Sequence, residues 1–391
     1  MNSKTERIEI VDSLRGFAVF GILVSHCYYL FFLGEATNTT ALDEGVSIFV
    51  KLFVNDKFYS LFSFLFGLSF SLMLSRTNDS APKFYTRFAW RLVLLGMIGL
   101  LHNLHWNDDI LSIYAFLGFI LLPISQFNNK IVFALSILLL FNVPSIFISM
   151  IQDSITAQQV KLNQELEGKI FSDFYEAMKH GTYWDTIKAN MNTYKYKLQY
   201  YLYSGRFSFM LGFFFLGLVV GRLKLFHNFR ENKKLFKHTA IYAGSIAFVL
   251  TSLVLLLILG KDQFNDQINA YLRPLMKAQS IVLTLTYVTG MSLLFSKESI
   301  KWLAKQFAIV GKMALTNYVL HSVLGTILLC GYGFGLINQS IPVRIALLAS
   351  IPIFIVMITF SHFWLSKYSY GPLEWVWRVA TYLKIIPIKK Q

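Results

Sequence analysis

Apolar segments long enough to cross a lipid bilayer follow one another along most of the chain, and they limit what it can fold into. Each is about 20 residues long, and a helix of about 20 apolar residues spans the roughly 30 Å hydrocarbon core of a membrane. The sequence therefore predicts an all-α, polytopic membrane helix bundle of about ten transmembrane helices. The predicted spans lie at residues 13–33, 57–75, 87–105, 110–126, 131–151, 204–221, 239–260, 278–296, 307–331 and 344–366.

The charge distribution indicates which ends of these spans face the cytoplasm. Lys and Arg number 36, against 21 Asp and Glu. If the N-terminus is cytoplasmic, most of this basic excess lies in cytoplasmic segments, as the positive-inside rule requires. Both termini are therefore predicted to be cytoplasmic, and the basic surface is expected to contact anionic membrane lipids and no nucleic acid. We expect a multi-pass protein of the cell (plasma) membrane.

A single transmembrane domain over residues 1–391, with one long insertion, is the expected domain organisation. Residues 152–203 combine balanced charges, apolar residues at helical spacing and a Tyr-rich end. They predict one or two amphipathic helices on the extracytoplasmic surface, placed to cover a cavity. In the second predicted span, Ser63, Gly67 and Ser71 recur at every fourth position, which is typical of closely packed membrane helices.

The first predicted span contains ionisable residues, which are costly inside a membrane and usually face a partner, a cavity or a site. Arg15 and His26 are 11 residues apart, so they share one helix face and lie roughly 16 Å apart along its axis. Asp12 is on the same face and is expected to pair with Arg15. Cys27 adjoins His26 but points about 100° away from it, so we expect no part for it in the chemistry. With Cys330 it forms neither a disulfide framework nor a metal motif.

The third predicted span repeats this spacing, because Arg91 and His102 are again 11 residues apart. Asp108 and Asp109 follow His102 in a tight outer turn, and Asp109 is expected to orient an imidazole and stabilise its protonated form. Two interpretations remain open: a hydrated polar corner between two helices, or an imidazole at the mouth of a membrane cavity. A zinc site is a poor match, because HxxH followed by two aspartates lacks the usual ligand spacing.

Polar residues also mark the ninth span and the C-terminal region. Asn317 and His321 are four residues apart on one face, and His321 is predicted to lie deep in the membrane. Asn317 offers a donor and an acceptor to a hydroxyl group or an acyl carbonyl. Glu374 and Arg378, also four residues apart, are expected to pair in an interfacial helix.

Five stretches of the chain show a family resemblance: VDSLRGFAVFGIL, KFYSLFSFLFGLSF, DILSIYAFLG, GKMALTNYVLHS and GPLEWVWR. They resemble the YeiB-like family, also called domain of unknown function 418, over about residues 8 to 380. That family is similar to the transmembrane acyltransferases, which include the acyltransferase-3 proteins and the lysosomal heparan N-acetyltransferases. The resemblance implies transfer of an acyl group from cytoplasmic acyl-coenzyme A to an acceptor on the other side.

The resemblance also implies roles for residues of the first span. In acyltransferase-3 proteins an Arg, ten intervening residues and a His form the functional motif, and Arg15 and His26 match that spacing. YeiB-like proteins often have Asn at the position of His26, so His102 stays an alternative catalytic base. The residue types suit the implied reaction, because acyl transfer needs a general base such as His and cations that bind the coenzyme A phosphates.

The resemblance and these residues together predict transfer of an acyl group, with acetyl-CoA as the expected donor, to an extracytoplasmic hydroxyl or amine acceptor such as a glycan. No metal is expected. The predicted catalytic residues are His26, His102, Asp109, His321 and Asn317, and the predicted coenzyme A-binding residues are Arg15, Arg87, Arg91 and Lys312.

Two other classes of function remain as alternatives. A small-molecule transporter or flippase would use the same membrane-embedded histidines as a proton relay, although no inverted repeat is evident in the sequence. A non-catalytic assembly or sensor protein is the third class. The acyl group, the acceptor and the oligomeric state, including a homo-oligomer, are left open by the sequence.

Overall fold

The protein folds as a bundle of α-helices. The computed structural model describes residues 8–32, 40–77, 79–144, 157–260, 268–339 and 341–390. This part of the chain contains fifteen α-helices, two short 3₁₀ turns and one isolated β-bridge between Tyr368 and Lys389. The helices are α1 (Glu9–Phe32), α2 (Ala41–Phe53), α3 (Lys57–Arg76), α4 (Ala81–His105), α5 (Leu111–Ile124), α6 (Asn129–Leu140), α7 (Ala157–His180), α8 (Tyr183–Tyr203), α9 (Arg206–Arg222), α10 (Lys233–Leu259), α11 (Ile268–Phe295), α12 (Lys301–Lys312), α13 (Ala314–Leu329), α14 (Val343–Lys367) and α15 (Pro372–Tyr382).

Six helical segments in the described residues are long and apolar enough to cross a membrane, and two bent helix pairs raise the number to eight. The predicted all-helical bundle with several helices able to cross a membrane is confirmed, whereas the predicted count of ten spans is not. The predicted spans at 110–126 and 131–151 correspond to the shorter apolar helices α5 and α6. The end of the second of these predictions lies outside the described residues.

The predicted span at 307–331 is not one straight helix. It breaks at Met313 into α12 and α13, which meet at an angle of 83°. The N–H groups in the first turn of a helix have no partner inside that helix. At the start of α13, the Glu374 carboxylate accepts hydrogen bonds from the N–H groups of Leu315 (2.8 Å) and Thr316 (3.1 Å). This cap stabilises the break, because a carboxylate is favoured at a helix N-terminus.

Close contact between backbones positions the start of α1 beside that break. A Cβ atom at Gly16 would overlap the carbonyl of Phe307, and one at Gly311 would overlap the carbonyl of Asp12. Glycine is therefore required at both positions for α1 and α12 to pack as they do. The contact brings Arg15 next to the last residues of α12, 3.4 Å from the carbonyl oxygen of Gly311.

Helices α3 and α9 form a second close contact, as the small residues of the second predicted span indicate. A Cβ atom at Gly67 would overlap the carbonyl of Phe214, and one at Gly217 would overlap the carbonyl of Phe64. The predicted small-residue stripe therefore packs against another helix, with two backbones in direct contact.

Helices α7 and α8 occupy the described part of the 152–203 insertion. Thr182 and Asp185 form a capping box at the start of α8, which fixes where this helix begins. Lys197 donates hydrogen bonds to the side-chain oxygen of Asn103 (2.9 Å) and to the carbonyl oxygen of Asn107 (2.9 Å). The insertion is thereby fastened to the C-terminal end of α4, which carries His102.

Candidate functional site

Two cavities of about 490 Å³ or more lie in the described part of the bundle, and no residue lines both. The first, which we call the His26 cavity, has a volume of about 580 Å³. It is bounded by α1, α3, the turn after α4, and helices α7, α8 and α9. Tyrosines from α8, including Tyr196 and Tyr200, form much of its wall beside Lys197 and Asp108. Aromatic faces mixed with a few polar groups are typical of sites for small organic molecules.

The second cavity, which we call the Arg15 cavity, has a volume of about 490 Å³ and a different character. Its cations are Arg15, Arg76, Arg91, Lys312 and Arg378, and its carboxylates are Asp12 and Glu374. The excess of positive charge favours an anionic ligand. Apolar residues of α3 and α4 line the remaining wall, so the cavity suits a ligand with both a charged and an apolar part.

Tyr318 separates the two cavities. Its ring lines the Arg15 cavity, while its hydroxyl group donates a hydrogen bond to the Asp108 carbonyl (3.2 Å) and accepts one from the Ile110 N–H (3.1 Å). Asp108 and Ile110 line the His26 cavity. The centroid of the Tyr318 ring lies 6.2 Å from that of His26 and 5.3 Å from that of His321. At the histidines, the wall between the cavities therefore consists of the Tyr318 ring on one side and the His26 ring on the other.

His26 and His321 form a directly bonded pair. His26 Nδ1 lies 2.9 Å from His321 Nε2, and His321 Nδ1 lies 3.2 Å from the carbonyl oxygen of Asn317. The other ring nitrogen of His26, Nε2, is 3.5 Å from the Asp108 carboxylate, which is half exposed in the His26 cavity. His26 thus presents one nitrogen to the cavity and the other to a buried imidazole.

His102 and Asp109 form a separate pair that reaches neither cavity. His102 Nδ1 lies 2.8 Å from Asp109 Oδ1, and His102 Nε2 lies 2.6 Å from the Ser322 hydroxyl. Asp109 also accepts hydrogen bonds from the N–H groups of Leu111 and Ser112 at the start of α5. All three side chains are buried and line neither cavity, so this pair ties α4, α5 and α13 together.

Asn317 also faces protein. Its amide nitrogen donates to the Val310 carbonyl (3.1 Å) and to the Ser361 hydroxyl (2.8 Å), and its side chain is fully buried. The amide therefore connects the two sides of the α12–α13 break to α14. Asn317 lies one helical turn before His321 in α13 and lines neither cavity.

Three of the four predicted cations come together. Arg15 bonds to Asp12 (2.7 Å), as expected, and together with Arg91 and Lys312 it lines the Arg15 cavity. Arg91 stacks 4.3 Å from the centre of the Trp377 ring. Arg87 does not line the cavity, because it bonds to Asp79 and stacks on Tyr382.

The structure adds residues that sequence reasoning did not single out. Arg206 lies in the His26 cavity, bonded to Asp56 (3.2 Å) and stacked over Tyr59 and Tyr201. Its position after a Tyr-rich stretch was the available signal in the sequence. The expected pair of Glu374 with Arg378 is not among the ion pairs of the described residues, since Glu374 caps α13 and Arg378 stacks on Tyr370.

Two further predictions concern cysteine and metal. Cys27 is buried in an apolar cluster with Val19, Leu23 and Met357, beside His26 in the chain but outside both cavities. Within the described ranges, no group of three or more His, Cys, Asp and Glu side chains is arranged to hold a metal ion.

Family comparisons match both halves of the chain. Residues 7–164 match the family described as heparan-alpha-glucosaminide N-acetyltransferase, catalytic, which relates them to a membrane acetyltransferase-like family. Residues 220–384 match the family described as protein of unknown function (DUF418). The first match covers α1, α4 and the turn that carry His26, His102 and Asp109, and the second covers α13 with His321.

Full-length relatives support the same assignment. The chain is 30% identical over 407 residues to the uncharacterized protein YxaH of Bacillus subtilis (strain 168), covering 99% of this chain and 97% of the relative. It is 29% identical to an uncharacterized 39.9 kDa protein in the amylase 3' region of Bacillus acidopullulyticus, covering 98% and 96%. It is 26% identical to the uncharacterized protein YeiB of Escherichia coli (strain K12), covering 96% of each. The chain therefore belongs to the YeiB-like family, the family of the domain of unknown function 418.

Proposed function

We propose that the protein is a transmembrane acyltransferase, which transfers an acyl group, acetyl in our proposal, from coenzyme A to a hydroxyl or amine acceptor. The observation on which this rests is the arrangement of two cavities around one thin wall. A basic cavity lies on one side of Tyr318, and on the other side a cavity is lined by a histidine that offers a ring nitrogen. The match of residues 7–164 to an acetyltransferase catalytic family supports the proposal.

The donor is assigned to the Arg15 cavity. Arginine binds phosphate through several donors at once, and Arg15 and Arg91 supply two guanidinium groups there beside Lys312. The apolar wall suits the pantetheine arm. Arg15 and His26 lie roughly 16 Å apart along α1, which is about the distance such an arm spans, so the thioester carbonyl would reach the wall between the cavities.

His26 is assigned as the general base. As the acceptor oxygen or nitrogen attacks the thioester carbonyl carbon, its proton passes to Nε2 of His26. The carbon–sulfur bond breaks, and the coenzyme A thiolate takes up the proton and leaves as the free thiol. Asp108, 3.5 Å from that nitrogen, stabilises the imidazolium that forms in between. His102 fits this role less well, because both its ring nitrogens have buried protein partners.

The acceptor is assigned to the His26 cavity, on the extracytoplasmic side. The cytoplasmic position of both termini and of the Arg15 cavity is part of the proposal, in accord with the positive-inside rule. A complete set of ten spans in the plasma membrane would require α5 and α6 to cross as well. The tyrosines of α8 provide faces for a ring-shaped acceptor such as a sugar.

The test compares the parent protein with His26→Ala in proteoliposomes supplied with labelled acetyl-CoA and cell-envelope extract as acceptor. Removing a general base is expected to reduce turnover on the order of 10²-fold or more. His362→Ala is the matched control, since His362 is exposed on α14 and lies outside both cavities.

Two results would contradict the proposal. Full turnover in His26→Ala would remove this residue from the mechanism and leave His102 as the base. The second result has two parts: the parent forms no labelled product, and it takes up an unmodified solute only when His26 is present. That result would favour a transporter with a histidine proton relay.

A further inference from the structure

The hydrogen bonds around His321 determine which of its ring nitrogens carries a proton. His321 Nδ1 lies 3.2 Å from the backbone carbonyl oxygen of Asn317. A carbonyl oxygen only accepts hydrogen bonds, so Nδ1 of His321 is the donor and bears the hydrogen. In a neutral imidazole the other nitrogen, Nε2, is then an acceptor. Apolar side chains of Leu23, Leu329 and Ile353 lie around the small void that both imidazole rings adjoin.

The hydrogen bond between the two rings also determines which nitrogen of His26 carries the hydrogen. Its Nδ1 lies 2.9 Å from His321 Nε2, which is an acceptor, so Nδ1 of His26 is the donor. A neutral His26 has a single ring hydrogen, which this bond holds on Nδ1. Its Nε2 therefore carries the lone pair, and this is the nitrogen directed at Asp108 and the His26 cavity.

Asp108 favours the opposite arrangement. A carboxylate only accepts, so it would attract a hydrogen onto Nε2 of His26 and leave the lone pair on Nδ1, facing away from the cavity. Distance decides between the two partners. The 2.9 Å separation from His321 is that of a good hydrogen bond, whereas the 3.5 Å separation from Asp108 is beyond the usual range.

We propose that His321 is a positioning residue that holds His26 in the tautomer with its hydrogen on Nδ1, so that Nε2 is free to accept a proton in the cavity. This inference rests on the proposed role of His26 as the base. Such control of one ring nitrogen through the bond made by the other is general for histidine. When Nε2 takes the acceptor's proton, the imidazolium has an acceptor at each nitrogen, His321 at Nδ1 and Asp108 at Nε2.

Two substitutions of His321 separate its hydrogen-bonding role from its packing role. His321→Leu fills the site with an apolar side chain that accepts no hydrogen bond. His321→Gln places an amide oxygen where Nε2 was, and this oxygen can accept the hydrogen of His26 Nδ1. His362→Leu is the matched control for loss of an exposed histidine.

The direct measurement is nuclear magnetic resonance of ¹⁵N-histidine-labelled protein in nanodiscs. Correlations between the ring nitrogens and the hydrogens bound to ring carbons distinguish the two tautomers. His26→Asn identifies the His26 signals by their disappearance. We expect the Nδ1–H tautomer of His26 in the parent and in His321→Gln, and the Nε2–H tautomer in His321→Leu. A parent spectrum with the hydrogen of His26 on Nε2 would overturn the proposal, even if His321→Leu does not fold.

Kinetics supply the second measurement. In His321→Leu we expect kcat for acetyl transfer to fall on the order of 10²-fold or more, with KM for acetyl-CoA unchanged, because the donor binds in the other cavity. His321→Gln is expected to regain most of that loss. Unchanged turnover in His321→Leu would refute the positioning role. An Nδ1–H tautomer in a parent that transfers no acyl group would instead count against the proposed function alone.

Discussion

Asp108 and Asp109 are neighbours in sequence and have very different surroundings. The Asp108 side chain is 52% exposed and faces His26, whereas the Asp109 side chain is fully buried and bonds to His102 and the first turn of α5. The sequence predicted the orienting role for Asp109. In the structure Asp109 bonds to the imidazole of His102, which lines neither cavity.

The two aspartates should therefore respond differently to loss of charge. Asp109→Asn is expected to reduce the free energy of unfolding by about 2–3 kcal/mol, because it weakens a buried, fully hydrogen-bonded charge network. Asp108→Asn should unfold at nearly the parent temperature but lose turnover. Thermal unfolding in detergent, followed by size-exclusion chromatography, measures the loss of stability. An acetyl-transfer assay measures the loss of turnover. Equal destabilisation by both variants would contradict this division.

Helices α3 and α9 pack through backbone contacts at glycine, and this contact holds the centre of the bundle. Gly67 and Gly217 each lie against a carbonyl of the opposite helix. Gly290 in α11 has open space where a Cβ would go. The two kinds of helical glycine therefore differ in what surrounds them and share the same intrinsic helix propensity.

Substitution by alanine should distinguish them. Gly67→Ala is expected to destabilise the protein by about 1–3 kcal/mol, because the methyl group forces the two helices apart. Gly290→Ala should be neutral or stabilise by up to about 1 kcal/mol, since alanine favours a helix more than glycine does. Thermal unfolding of the two variants in one detergent is the measurement. A destabilised Gly290→Ala with an unaffected Gly67→Ala would contradict the close contact.

In the molecule as a whole, charge is divided between the two cavities. The Arg15 cavity has an excess of cations, whereas in the His26 cavity Arg206 bonds to Asp56, and His26 faces Asp108. An anionic donor is thus expected on one side of Tyr318 and a ligand of low net charge on the other. This division leads to predictions about affinity and about sidedness.

Coenzyme A should bind more weakly to Arg15→Gln and Arg91→Gln, by about 10- to 100-fold each, because a hydrogen bond to a charged group contributes about 1.5–3 kcal/mol. Arg87→Gln is the matched control, since Arg87 bonds to Asp79 outside the cavity. Calorimetry should also show weaker binding with added salt, which screens partly exposed charges. Affinity lost only in Arg87→Gln would place the donor elsewhere.

Sidedness can be measured by labelling. In a Cys27→Ala, Cys330→Ala background, Lys312→Cys and Tyr200→Cys introduce one thiol in each cavity. A membrane-impermeant maleimide is expected to label Lys312→Cys in inside-out vesicles and Tyr200→Cys in right-side-out vesicles. Labelling of both from the same side would contradict a donor and an acceptor that enter from opposite faces.

Sequence alone determined the features that depend on neighbouring residues in the chain. The apolar segments predicted a membrane helix bundle, and helical spacing predicted the Asp12–Arg15 pair and the small-residue stripe at Gly67, which the structure confirms. These features follow from hydrophobicity and from the 3.6-residue period, which are properties of a single helix.

Only the tertiary structure decided which helices meet. His26 bonds to His321, 295 residues away, and the break at Met313 brings Tyr318 between the two cavities. The sequence could not separate Asp108 from Asp109, or Arg87 from Arg91, because each pair shares its residue type and local surroundings. Their different partners depend on how α4 and α5 pack against α1, α13 and α15. That packing results from backbone contacts and buried hydrogen bonds between distant segments, which helical periodicity does not specify.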